Sequence, residues 1–386
     1  MVKTNIKIVV LISSLIVVSL ALSHYSPEQD SFTGLCVLSK PGFSLLYNGT
    51  ATLGIGEELH VGKVYTVHGR LRRASSGLWM DVASIQESGL AFPLETLRGA
   101  YWDSAYPLIL TPTRIRLAVP LNVTRGHLIS AKGIFYGNRF YPLEVEEFQY
   151  LEKPADGMPY LLHGVVTRPG NPAEVWNGSE SFRVYLPHGV SLNPGRRVEI
   201  LGIAKLYSKI TLYVEDSNDV RVLGMAETVP ISRARYGQIA EGECLVVRAG
   251  RSLGLNCTRL RLYNFSARVG DTVHFNALRR RSSLLCLSCN VAKPREALPN
   301  SICSPAEGRF GKVEGRVAWV KVYRNGFGIA NVTNGTCWIL LKLSSRLGVS
   351  IEENESITAY GEFTTYRGMP AFQVPSREEV CYGRHC

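Results

Sequence analysis

Glutamine occurs only five times in the 386 residues, and charged residues make up only 19%. A charged share below the usual quarter argues against a body of exposed amphipathic helices. No long stretch repeats its apolar residues every 3.6 positions, so helices are not expected to build the fold. The eight histidines contain no HExxH, which excludes the zinc-protease pair of imidazoles on one helix face. There is no G-x-x-x-x-G-K-[ST] and so no P-loop phosphate cradle. A single CxxC, Cys286-Leu287-Ser288-Cys289, is half of what a four-cysteine zinc site needs. It reads as a tight local disulfide or as bonds to Cys303 and Cys337 rather than as metal. Gly250-Arg251-Ser252-Leu253-Gly254 matches a nucleophile elbow. That motif needs a helix after the serine, and the following Leu255-Asn256-Cys257-Thr258-Arg259-Leu260 reads as a strand. No catalytic residue, metal or cofactor is expected.

What the chain has in quantity is turn material, 36 glycines and 19 prolines, between short runs that alternate with period two. A two-part figure recurs. Its first half is an apolar run around one glycine: Val67-His68-Gly69-Arg70-Leu71, Leu162-His163-Gly164-Val165-Val166, Val313-Glu314-Gly315-Arg316-Val317. Its second half is a turn and a second glycine-bearing run, around Gly133, Gly202 and Gly361. Glycine inside a strand marks a bulge or sharp bend, which small closed barrels need.

This pattern resembles the OB-fold, a five-stranded Greek-key barrel whose glycine-bearing strands are the first and fourth. An immunoglobulin-like tandem lacks the paired glycines, and no Cys…Trp…Cys spacing is present. The resemblance implies an all-β chain of about four tandem small barrels; the chain as a whole is read as an exported or cell-surface protein of a thermophilic archaeon. Few Gln and many Arg also point to a thermophile. The modules are read as a leader at 1–23, a stem at 24–57, a first module with an insertion at 58–152 and a second at 155–226. A basic third follows at 232–296, a fourth at 308–378, and a cysteine-containing tail at 379–386.

Ile8 to Leu22 is an uninterrupted run of apolar and small residues behind Lys3 and Lys7, with Ala21-Leu22-Ser23 as a cleavage site. The expectation is a signal peptide or a single N-terminal anchor in the cell membrane, with the bulk of the chain outside. Eight sequons, at Asn48, Asn122, Asn177, Asn256, Asn264, Asn331, Asn334 and Asn354, fit a glycosylated exported protein. Nine cysteines fit an oxidising compartment. Cys244 and Cys257 flank the turn Ala249-Gly250-Arg251-Ser252 symmetrically, and opposed positions in a hairpin lie within disulfide reach.

Charge singles out one module. Residues 232–296 hold twelve Lys and Arg against four Asp and Glu, which is +8 of the chain's +11. Arg259, Arg261 and Tyr263 alternate along one strand and share a face. Phe275, Arg248 and Arg279-Arg280-Arg281 are expected to extend it. Cations with aromatic rings are how OB-folds hold single-stranded nucleic acid, and such a face also suits acidic glycans or anionic lipid. The reading is a non-enzymatic binder of a polyanion. The alternative is a structural array that spaces or assembles other surface proteins.

Overall fold

The computed structural model describes residues 29–383 except Ser76, Pro112 and Val349. The leader at 1–23 and Cys386 lie outside the described residues. No helix among the described residues is long and apolar enough to cross a membrane. The regular structure is β throughout, with four single-turn 3-10 segments among the described residues.

Five small barrels succeed one another, and each has the same order around its ring, 1-2-3-5-4 and back to 1. The first holds Asp30–Lys40, Phe43–Tyr47, Thr52–Ile55, Val64–Ala74 and Gly77–Ser88. The second holds Glu95–Asp103, Pro107–Leu110, Arg114–Leu117, Leu128–Tyr136 and Arg139–Glu147. The third holds Pro159–Arg168, Ala173–Trp176, Ser181–Tyr185, Arg196–Leu206 and Ile210–Tyr213, with Val220–Met225 added beside its fourth strand. The fourth holds Ile239–Arg248, Leu253–Leu255, Thr258–Tyr263, Thr272–Arg279 and Ser283–Lys293, with Thr228–Pro230 added beside its first. The fifth holds Phe310–Val322, Gly328–Thr333, Trp338–Leu343, Ser356–Tyr366 and Met369–Gln373, with Val380–Tyr382 added beside its fourth. In every barrel the third and fifth strands run parallel and close the ring, as Leu53 beside Leu78 does in the first. That order is the OB-like one. The described chain falls into two compact units, one running to Leu161 with Ile203–Leu206, the other holding Leu162–Gly202 and the residues from Tyr207 on.

The all-β tandem-barrel expectation holds, and the way the first 150 residues divide does not follow the modules drawn above. The stem supplies the first three strands of a barrel that Val64–Ala74 and Gly77–Ser88 complete, with Asn48-Gly49 turning the hairpin that pairs Leu46 with Leu53. The presumed insertion is a whole second barrel. Trp102 and Tyr101 are 2% exposed within it, and the Arg125 guanidinium lies 3.9 Å from the Trp102 ring. The repeat was out of phase for a physical reason. Gly69 and Gly133 both sit on fourth strands, so their spacing of 64 (133 − 69) measures one barrel to the next. The first-strand glycines of these two barrels are Gly34 and Gly99, which give internal spacings of 35 (69 − 34) and 34 (133 − 99).

Why glycine is required is visible at two of these positions. A Cβ on Gly69 would lie 2.1 Å from the Asp81 carbonyl oxygen, and one on Gly133 would lie 2.0 Å from that of Tyr141. Each glycine adjoins a bulge in the pairing of the fourth and fifth strands. The bulge tightens the coil that lets so few strands close. Inside the ring, period-two alternation delivers the core: Leu46, Leu53, Val67 and Met80 in the first barrel, Val246, Leu262, Val273 and Phe275 in the fourth. Full burial of each such side chain stabilises by about 1.5–3 kcal/mol.

Cys244 and Cys257 are joined, with Cα atoms 5.8 Å apart. The CxxC closes on itself as Cys286–Cys289, and Cys303 bonds Cys337. Cys381 is also disulfide-bonded. Cys36 is free and buried in the first barrel, where burial pushes its thiol up to about 11. Replacing Cys244 and Cys257 with Ser should lower the stability of the fourth barrel by about 3 kcal/mol, the loop-closure value for a ring of this size. Urea unfolding under non-reducing conditions measures it, and an unchanged midpoint would show that the bond constrains nothing.

Candidate functional site

The basic module forms the fourth barrel, and its arginines do not scatter evenly. Gly254 is the centre of one face. It pairs with Arg248 on the first strand and with Arg261 on the third. A Cβ at Gly254 would lie 2.5 Å from Arg261 Nη1 and 3.1 Å from Arg248 Cβ. The missing side chain is therefore what lets the Arg261 guanidinium lie across the sheet beside Arg248. On the other side Arg261 pairs with Ser283 of the fifth strand. Arg259 and Tyr263, two residues to either side of Arg261, point the same way and are exposed. Arg251 is exposed in the turn between the first two strands. Phe265, Leu260 and the strand cores pack beneath.

Electrostatics separate this face from Arg268, Lys293 and Arg295. Arg268 pairs with Glu296 at 2.8 Å, Lys293 with Glu243 at 3.8 Å, and Arg295 with Glu296 at 3.8 Å. Arg295 is 5% exposed and lies over the Tyr360 ring of the fifth barrel at 4.6 Å, so it serves the junction between these barrels. Among the described residues, Arg248, Arg251, Arg259, Arg261 and Arg281 make no ion pair. Positive charge thus remains uncompensated on this face, and Arg233 and Arg235, exposed ahead of the first strand, make no ion pair among the described residues either.

Two sequence expectations are corrected here. Phe275 does not belong to the face. It is fully buried at 0% exposure because its strand places it inward, between Val273 and Ala277 in the core. The triple arginine does not act as a unit either. Arg279 folds back and donates to the carbonyls of Arg280 and Arg281, bracing their turn. Arg280 is half-buried toward the third barrel, where burial lowers its pKa, with the charge of Arg168 adding to the effect against Tyr236 and Glu174. Arg281 stays exposed, 5.9 Å from the Tyr236 ring. Sequence reasoning missed Arg168, Glu174 and Tyr236 as neighbours of this turn. The only sequence signal for Arg168 was its place just before Pro169-Gly170-Asn171-Pro172, a turn that could not be assigned to a ligand face without the third barrel's strand order.

Of the sequon asparagines, Asn48, Asn122, Asn256, Asn264, Asn334 and Asn354 are exposed. Asn177 and Asn331 are half-buried. The Asn48 Oδ1 accepts from the backbone N–H groups of Thr50 and Ala51, the usual turn of such a sequence.

No protein-family model and no curated protein matches this chain. Among solved structures it is similar to the HINb domain of p204, at 11% identity and a TM-score of 0.23, over 37% of this chain and 96% of that one. It is also similar to a multidomain protein with nucleic acid binding domains from Streptococcus pneumoniae TIGR4, at 10% identity and a TM-score of 0.13, over 56% of this chain and 74% of that one. The OB-like assignment rests on the strand order of the five barrels.

Proposed function

We propose that this chain is an exported, non-enzymatic binder of a polyanion, held by the fourth barrel, and that single-stranded nucleic acid is the ligand. The observation that carries the reading is the row of Arg248, Arg261 and Arg259 with Tyr263 on one face, without ion pairs among the described residues while Arg268 and Lys293 are matched with acids. A backbone of phosphates would replace the absent counter-charges, and a ring at its edge offers a base something to stack on. The leader, the exposed sequons and the disulfides support display outside the cell.

The test replaces Arg259 and Arg261 with Ser and measures retention on heparin and on immobilised oligo(dT). Retention should fall on both. Lys293→Ser, which breaks a pair with Glu243 on the far side, should leave both unchanged. Equal effects from the two changes would show that only overall charge matters. A wild-type chain that ignores both matrices while holding a partner protein through high salt would favour the spacer reading.

A further inference from the structure

The third barrel presents two tyrosines that its core does not use. Its third strand alternates, so Phe182 and Val184 are buried while Arg183 and Tyr185 face out. Its fifth strand runs parallel beside it and sets Tyr213 next to Tyr185. The two rings lie 5.0 Å apart and within 4° of parallel, and they remain 37% and 38% exposed. Tyr207, 63% exposed, stands in the hairpin that precedes this fifth strand.

This ring pair is not isolated from the arginine face. Tyr185 and Arg183 line a cleft of about 490 Å³, and Tyr236 and Arg280 line a second of about 270 Å³. Arg168, Glu174 and Lys209 belong to the walls of both, so the two adjoin. Ser283, which also lines the second cleft, is the residue paired with Arg261. A track thus runs from the arginine row, past Ser283 and the Arg280 turn, to the stacked tyrosines. Arg168, Arg183, Lys209, Arg280 and Arg281 line it against the single acid Glu174. The Arg280 Nε is buried there and meets no acceptor among the described residues.

We infer that a single-stranded nucleic acid held on the fourth barrel continues along this track and stacks a base on the Tyr185–Tyr213 pair of the third. The inference rests on the polyanion reading and adds to the arginine face a base-stacking subsite on the third barrel. Cations alone would serve a sulfated glycan equally well. Two parallel exposed rings at the end of a cationic groove suit a base, whose π-face stacks on them flat.

The experiment uses the full chain and three probes: fluorescent oligo(dT), an abasic strand of the same length, and heparin. Tyr185→Ala with Tyr213→Ala should weaken oligo(dT) by about fivefold to a hundredfold, the range for a lost base–aromatic stack. Binding of the abasic strand and of heparin should not change. Tyr185→Phe with Tyr213→Phe keeps the rings and should bind oligo(dT) like the wild type, which separates stacking from misfolding. Equal losses on all three probes, or no loss on oligo(dT), would overturn the inference. If the wild type holds heparin through Arg259 and Arg261 but not oligo(dT), the inference fails and the polyanion reading stands. If it holds none of the probes, both fail.

Discussion

Raising the salt from about 50 to 200 mM should weaken oligonucleotide binding by about a hundredfold. The fourth barrel offers five cations that make no ion pair among the described residues, Arg248, Arg251, Arg259 and Arg281 exposed and Arg261 half-buried. For a single strand the slope of log K against log salt is about −0.7 per phosphate neutralised, hence about −3.5 for five contacts. A fourfold rise in salt then gives a loss of about 130-fold. Replacing Arg259 and Arg261 with Ser leaves three contacts, a slope of about −2.1 and a loss of about 20-fold over the same range. Anisotropy titrations at several salt concentrations measure both slopes. A wild-type slope near zero would mean that these arginines keep their hydration and counter-ions, and the proposed function would go with them.

The size of that slope follows from a distinction that charge counting alone does not make. The net +8 of residues 232–296 was legible in the sequence, as was the alternation that sets Arg259, Arg261 and Tyr263 on one side. Which cations are available to a ligand was not. Arg268, Lys293 and Arg295 lose their freedom to acids or rings brought close by the fold, at the junction with the fifth barrel or along the first strand. Arg279 spends its guanidinium on its own turn. Phe275 was read as exposed because its strand was given no inside and outside. The bonded pair Cys244–Cys257 was accessible from local symmetry, since a hairpin sets its own register. The third barrel's Tyr185 and Tyr213 were not, because parallel pairing joins strands that are far apart in sequence and leaves no mark on either. The same limitation explains the missed barrel. The recurring glycine showed that bends repeat, and without the pairing it could not show whether a given glycine opened one barrel or closed the one before.

Those glycines lead to the second large effect, on stability. Gly133→Ala should destabilise the second barrel by about 3 kcal/mol or more, the upper end of the cost of forcing extra atoms into a packed interior. The new methyl would meet the Tyr141 carbonyl oxygen, which belongs to backbone and has no rotamer to move into. Relief would require the fifth strand to retreat at the bulge between Pro142 and Glu144, next to the place where Phe140 enters the core. The fourth barrel supplies the comparison. There the same position, the sixth residue of the fourth strand, is Ala277, and it too adjoins a bulge, between Asn276 and Ala277. The fifth strand opposite is spanned by the Cys286–Cys289 bond, with Leu287 as the extra residue. A barrel of this order therefore carries a methyl at this position where the bulge opposite holds Leu287 and the disulfide, and excludes it where a carbonyl closes in at 2.0 Å. Ala277→Gly should accordingly cost only the backbone freedom of a glycine in a strand and the loss of one buried methyl, about 1–2 kcal/mol. Hydrogen exchange of the amides in Leu128–Tyr136 and Arg139–Glu147 reads the first change locally, and that of Thr272–Arg279 the second. Unchanged protection in Gly133→Ala would mean that the fifth strand yields freely, and close carbonyl approach would no longer explain why glycine recurs on these strands.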